Sequence, residues 1–409
     1  MKEKIAALSV CFVFACAPAI NTAAGNAPSL RRVIAPEVER SLSAAGLNPE
    51  LAPELDSIIT AAIADKASPG VALAVGRNGH VAYIHSYGKL DWDPSSADVT
   101  DSSLYDMASL TKVIATTTAS MILEESGKLD IDRTVASYLR EFNAPDKAQI
   151  TIRQLLTHRG GMEAFSDLWR TNHGRAEYLR ALNARPLAYA PGTKMIYSDW
   201  DMVLMQFVIE RISGETLDAF VDERVFKPLG MVDSHFLPSK DLLPRIAPTE
   251  NEAFRGGLIR GVVHDENAWS LGGVSGNAGL FSSTRDLAVF CQMLLNGGDF
   301  NGAHILKAST IARWTARQDK ESSRALGWDT PSPHSSAGRY FSMRSFGHTG
   351  FTGTSIWVDP EKQLYVVLLT NRVNPTRQNQ KQAPLRRAVA DAVQRAVIGA
   401  PLVDWESKQ

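Results

Sequence analysis

The stretch Ser109-Leu-Thr-Lys112-Val-Ile-Ala-Thr-Thr-Thr-Ala-Ser-Met-Ile-Leu123 decides how this chain is read. From Val113 onward its apolar residues recur at helical spacing, and Gly127 ends the run. The pattern predicts a mostly buried helix that begins at Ser109. A serine and a lysine three residues apart share one helix face. They stand at the helix end whose free N–H groups favour negative charge. Serine attack on a carbonyl needs a nucleophile, a nearby base and donors for an oxyanion, and this end can supply all three. The bland reading makes Ser109 an N-cap and Lys112 a solvated first-turn residue. Ser86-Tyr-Gly-Lys89 fits the same spacing, but Ser86 lies near the end of the strand-like run Val81–Tyr87, and Gly88 would break any helix there.

The chain has 409 residues, 44% of them hydrophobic and 21% charged, enough for a substantial core in two domains or one composite domain. Its net charge of −1 gives no general attraction to nucleic acid or anionic membrane. Lys2 and Lys4 precede the apolar run Ile5–Ala15 and small residues come next, which reads as an export signal over residues 1–24. A second reading takes Val13-Phe-Ala-Cys16 as a lipoprotein box, with a signal to Ala15 and a lipid on Cys16 as the membrane link. Residues 25–48 read as a tether, and the expected location is periplasmic or extracellular. Cys291 is the one cysteine outside the signal, and its place in an apolar helical run points to core packing.

Elsewhere a helix is predicted over about 49–66, then strands at Gly70–Val75 and His80–Tyr87 joined by Arg77-Asn-Gly79, a strong hairpin signal. Gln154–Gly161 reads as a short helix ending at glycine, and Met202–Ile212, Leu217–Phe226 and Asp286–Leu295 as longer ones. Strands return at 345–350, 354–358 and 364–369, and a last helix covers about 385–397. Strands at both ends with helices between them predict an α/β (α+β) architecture, one antiparallel sheet flanked by helices plus a mostly helical lobe. The sheet lobe is assigned residues 49–105 and 335–397, the helical lobe 106–334, and 398–409 are a tail.

Three further segments bear on Ser109. Tyr197-Ser-Asp199 precedes a helix, and a phenol beside an ammonium can act as a general base; the plainer reading is a rim tyrosine next to an N-cap aspartate. Gly347-His-Thr-Gly350 lies on a predicted strand whose glycines would let a substrate backbone approach His348 and Thr349. The glycine-rich run from Gly261 to Phe281 reads as a shaped loop rather than a helix, with His264 and Asp265 on the cleft. His264, Asp265 and Glu266 lack a second histidine at ligand spacing, so no metal and no cofactor is expected.

In order and spacing, Ser109-Leu-Thr-Lys112, Tyr197-Ser-Asp199 and His348-Thr-Gly350 resemble the three motifs of penicillin-recognising serine hydrolases. The likeness is to the class C β-lactamase and D-Ala-D-Ala carboxypeptidase branch. Pro69-Gly-Val71, Leu155-Leu-Thr-His158, Pro191-Gly192, Pro228-Leu-Gly-Met231 and Ala278-Gly-Leu-Phe281 support it. Val263-His-Asp-Glu266 with Gly272-Gly-Val-Ser-Gly276 is similar to a narrower subgroup around penicillin-binding protein 4B. The resemblance implies a β-lactamase/transpeptidase-like fold over about residues 49–397. It implies Ser109 as acylated nucleophile, Lys112 and Tyr197 sharing the proton work, and an oxyanion hole from the N–H groups of Ser109 and Phe351. Asp199, His348, Thr349, Gly350 and His264 would bind substrate.

Two departures matter. His348 stands where the family has lysine, and a histidine titrating near neutrality is a weaker anion partner. Asp199 stands where the family has asparagine; an ionised aspartate cannot donate, and it would favour the protonated form of Lys112. The implied activity is D-Ala-D-Ala carboxypeptidase-like hydrolysis of peptidoglycan peptides. The alternatives are N-acetylmuramoyl-L-alanine amidase, carboxylesterase or weak β-lactamase, and a penicillin-binding sensor without turnover.

Overall fold

The computed structural model describes residues 42–333 and 335–408, so Cys16 and the segment read as an export signal lie outside the described residues. Helix α1 (Leu51–Ala64) leads into strands β1 (Gly70–Arg77) and β2 (His80–Gly88). Asn78 and Gly79 join them with φ of 54° and 79°, the left-handed pair that suits strand twist in a two-residue hairpin. A π-helical turn over Lys112–Thr117 runs into α2 (Thr118–Glu125). The helical lobe continues with α3 (Ile152–Leu156), α4 (Asp199–Ser213), α5 (Glu266–Ser270) and α6 (Thr284–Leu295). Strands β3 (Phe346–Thr349), β4 (Ser355–Asp359) and β5 (Leu364–Thr370) and helix α7 (Gln382–Arg395) complete the sheet lobe.

The five strands form one antiparallel sheet in the order β3-β4-β5-β1-β2. Distant ends of the chain therefore meet at the β5–β1 pair, where Val71 stands opposite Thr370 and Arg77 opposite Leu364. Side chains alternate across the sheet with period two. Val71, Leu73 and Val75 face one core, built with Leu55 and Ile59 of α1 and Val389 and Val393 of α7. Ala72 and Ala74 face the other, where α6 and the helical lobe pack. Cys291 of α6 is wholly buried in this second core. The glycine-rich run expected to be loop throughout contains α5, because Asp265 caps it by accepting the Ala268 N–H at 2.7 Å.

The segment read as a tether enters the sheet lobe before residue 48. Leu42, Ala45 and Leu47 are buried, and Leu47 bridges Val397. The tail packs as well: Trp405 is buried and Glu406 pairs with Arg387 at 3.1 Å.

Candidate active site

Ser109 stands just before the helical rod, after Ala108 at φ +46°, a conformation that L side chains seldom adopt. The Asp106 carboxylate holds this turn by accepting the Ala108 N–H at 2.8 Å. Three residues on, Lys112 is wholly buried, so it is not the solvated first-turn residue of the bland reading. Its ammonium donates to Ser109 Oγ at 2.9 Å and to the Asn277 carbonyl at 3.1 Å, and lies 2.7 Å from Asp199 Oδ1. Burial alone would pull the ammonium down. The Asp199 carboxylate and Tyr197 outweigh it and push the group up to about 12. Lys112 is therefore charged at neutral pH.

Tyr197 closes this arrangement from the N-terminal side of α4. Lys112 Nζ lies 4.9 Å from the centre of its ring, and the Arg324 guanidinium also lies 4.9 Å away. Its hydroxyl is buried and makes no well-formed hydrogen bond within the protein.

The edge strand β3 supplies the opposite wall. Thr352 Oγ1 donates to the Asp106 carbonyl at 2.7 Å and Thr354 Oγ1 to the Met107 carbonyl at 3.1 Å. These bonds tie the turn after β3 to the turn before Ser109. They set the Ser109 and Phe351 N–H groups on one cleft, and neither donates to another backbone group among the described residues. Gly350 is required for this closeness, since a Cβ there would fall 2.5 Å from the Met107 carbonyl oxygen. A Cβ at Gly347 would fall 2.3 Å from Ile356 O. The glycines expected to admit a substrate backbone thus admit the protein's own backbone.

His348 differs from expectation. Arg324 approaches its Nε2 at 3.4 Å, and its Nδ1 lies 2.9 Å from the Thr349 carbonyl. That pattern makes Nδ1 the donor and Nε2 the acceptor of a neutral ring. Burial first, then the Arg324 charge, push the imidazole well below its usual range. It does not titrate near neutrality, and the permanent positive charge at this position belongs to Arg324. No motif marks Arg324 in the sequence, and it was missed. So were Arg372 and Arg386. Arg372 donates to the Phe351 carbonyl at 2.9 Å, and Arg386 to the Gly350 and Thr354 carbonyls at 2.8 Å. Burial brings the Arg386 guanidinium down to about 9.

His264 is buried on the cleft, with its Nε2 2.9 Å from Glu250 Oε2 and its ring stacked 5.6 Å from Phe351. Burial opposes ionisation of Glu250, yet bonds from His264 and Arg377 hold it down to about 2. Asp265 is pushed up to about 6, by burial and then by the Asp199 charge. Asp199 was expected to contact substrate, and it borders the cavity with Oδ1 committed to Lys112. The cavity measures about 590 Å³, and Ser109, Tyr197, Asp199, His264, His348, Thr349 and Gly350 all line it. Among the described residues no group of three His, Cys, Asp or Glu could hold a metal ion.

A sequence profile described as Beta-lactamase matches residues 55–391. The chain belongs to the β-lactamase family. A relative from Escherichia coli O157:H7, whose printed name is "Putative D-alanyl-D-alanine carboxypeptidase", is 35% identical over 374 residues, covering 82% of this chain and 85% of that protein. A relative of the same name from Salmonella agona is 33% identical over 356 residues, covering 78% and 82%. Among solved structures, a penicillin-binding protein homolog from Caulobacter crescentus superposes with a TM-score of 0.70 at 18% identity, covering 86% of this chain and 99% of that one. A class C beta-lactamase superposes at 0.69 and 20% identity, covering 84% and 96%. These likenesses establish the β-lactamase/transpeptidase-like fold expected from the motifs.

Proposed function

We propose that this protein is a serine hydrolase that cleaves peptidoglycan-type peptides at a D-Ala-D-Ala bond through an acyl-enzyme. The carrying observation is the Lys112 ammonium, which donates to Ser109 Oγ at 2.9 Å while the Tyr197 ring lies 4.9 Å from the same charge. Lys112 is protonated and cannot take the serine proton; it polarises the hydroxyl instead. Tyr197 is the proton carrier, working as a phenolate beside the Lys112 ammonium.

In acylation Ser109 Oγ bonds to the substrate carbonyl carbon as its proton passes to the Tyr197 phenolate. The oxyanion takes the N–H groups of Ser109 and Phe351. Tyr197 then protonates the leaving amine as the C–N bond breaks. In deacylation water attacks the ester, loses its proton to Tyr197, and Ser109 recovers the hydrogen. Arg324 beside His348 would take a substrate carboxylate. The Lys2, Lys4 and Ile5–Ala15 pattern supports export, which would bring the protein to such a substrate.

The test is incubation with a muropeptide mixture and assignment of products by mass. Loss of one alanine is the expected result. Separation of sugar from peptide would mean an amidase instead. Turnover of a short nitrophenyl ester with intact muropeptides would mean an esterase. Trapping of a labelled penicillin with no turnover of either substrate would mean a sensor.

A further inference from the structure

The mechanism makes no use of Leu155-Leu-Thr-His158-Arg-Gly-Gly161, yet this end of α3 and the turn after it meet Tyr197 and its chain neighbours through His158. The His158 carbonyl accepts the Ile196 N–H at 3.0 Å, and His158 Nδ1 accepts the Ser198 N–H at 3.3 Å. The chain neighbours on both sides of Tyr197 are thereby bonded to one residue. The His158 ring lies 4.5 Å from the Tyr197 ring, at 50° to it. His158 is itself wholly buried at φ +55°, an unfavourable backbone conformation for histidine.

Since Nδ1 accepts, the ring proton sits on Nε2, which is buried without a partner. Behind the ring, Asp201 Oδ2 lies 3.4 Å from Nδ1, and neither carboxyl oxygen makes a hydrogen bond. Burial, then the charges of Arg324 and Lys112, push the imidazole well below its usual range. Burial, then the Asp199 charge, push the Asp201 carboxyl well above its own. Both shifts favour the neutral forms of the pair. The groups around Tyr197 are then the Lys112 and Arg324 cations, the neutral rings of His158 and His348, and the Asp199 carboxylate on Lys112.

We propose that His158 is the positioning residue for Tyr197: it clamps residues 196 and 198, backs the phenol ring, and holds it beside the Lys112 ammonium. A phenol free to tilt would lose its alignment, and small misplacements of a catalytic group are costly in rate. This inference rests on Tyr197 being the proton carrier.

Two variants separate the parts of the clamp. His158→Phe keeps a ring against Tyr197 and removes the acceptor for Ser198. His158→Asn keeps an acceptor, suits the positive φ and removes the ring. Each is assayed from pH 5 to 10 on a nitrophenyl ester, beside Tyr197→Phe and the His158→Phe/Tyr197→Phe double variant. Both His158 variants are expected to lose about tenfold to a hundredfold in kcat with KM within about threefold. Their pH–rate profile should shift, and the double variant should be no slower than Tyr197→Phe alone. A kcat and pH profile close to the parent's in either stable variant would overturn the clamp. So would a loss of the same size in the Tyr197→Phe background, which would mark a general structural effect. Should neither His158 variant fold, Gly160→Ala presses on the pair from behind, because its Cβ would fall 2.3 Å from Asp201 Oδ1. It should slow kcat about threefold or more, and an unchanged kcat would overturn the clamp. Full activity in Tyr197→Phe would instead remove the reading on which the inference rests.

Discussion

At 2.7 Å from the Lys112 ammonium, the Asp199 carboxylate decides how the proton work is divided. Burial alone would favour a neutral amine, which could serve as a base. With Asp199 present the amine is held charged up to about 12, and the task falls to the phenol. Replacing Asp199 by Asn removes the opposing charge and leaves burial dominant. The alkaline limb of kcat/KM should then move down by about one pH unit or more. A limb and rate that both stay in place would break the coupling between Asp199 and Lys112. Arg324 is the second residue with a distinct expectation. Arg324→Gln should raise KM for a peptide ending in a free carboxylate about tenfold or more, and leave a neutral ester nearly unaffected. Equal effects on both substrates would argue that Arg324 supports Tyr197 rather than the carboxylate.

Elements carry the site through close backbone approach. The loop before β-strand Leu280–Ser282 presses on α4 at Gly276, where a Cβ would fall 2.0 Å from the Met202 carbonyl oxygen. Gly276 also accepts from Thr116 Oγ1 at 2.8 Å, and its neighbour Asn277 accepts from Lys112. Gly276→Ala should destabilise the fold by about 2 kcal/mol or more and slow the enzyme, read by denaturant midpoint and kcat together. Full stability with reduced kcat would mean that the loop flexes freely. Helix α4 holds a second testable element in Asp201. Its native carboxyl keeps a proton that the unfolded chain has lost once pH passes an ordinary carboxylate range. Stability must therefore fall as pH rises through that window, by up to about 1.4 kcal/mol per pH unit. Asp201→Asn removes this slope, so its unfolding free energy should gain on the parent's as pH rises above the ordinary carboxylate range. Parallel curves for the two proteins would show Asp201 to be ionised in the fold.

Across the whole molecule, one sheet separates two cores, and the cleft lies on the side of the helical lobe. Leu73 faces the other core, against α1 and α7. Leu73→Ala should therefore cost about 3 kcal/mol of stability while KM changes less than about twofold. A large rise in KM would mean that the two faces are mechanically coupled. Much of this architecture could be read in one dimension. Local periodicity and turn chemistry act between near neighbours, so the Asn78-Gly79 hairpin, the terminal strands and the buried helix after Ser109 were all visible in residue order. So was the Ser109–Lys112 spacing, although Ser109 stands in the turn before the helical rod rather than on it. Arg324, the neutral state of His348 and the clamp at His158 were not visible. Each depends on burial and on a partner far along the chain, and a string of residues carries neither distance nor dielectric. The bond from Lys112 to Asp199 exists because folding brings together, out of water, groups that were solvated apart. Chain order dictated which residues could do chemistry. Three-dimensional packing settled which of them are charged, which are neutral, and which one is free to move a proton.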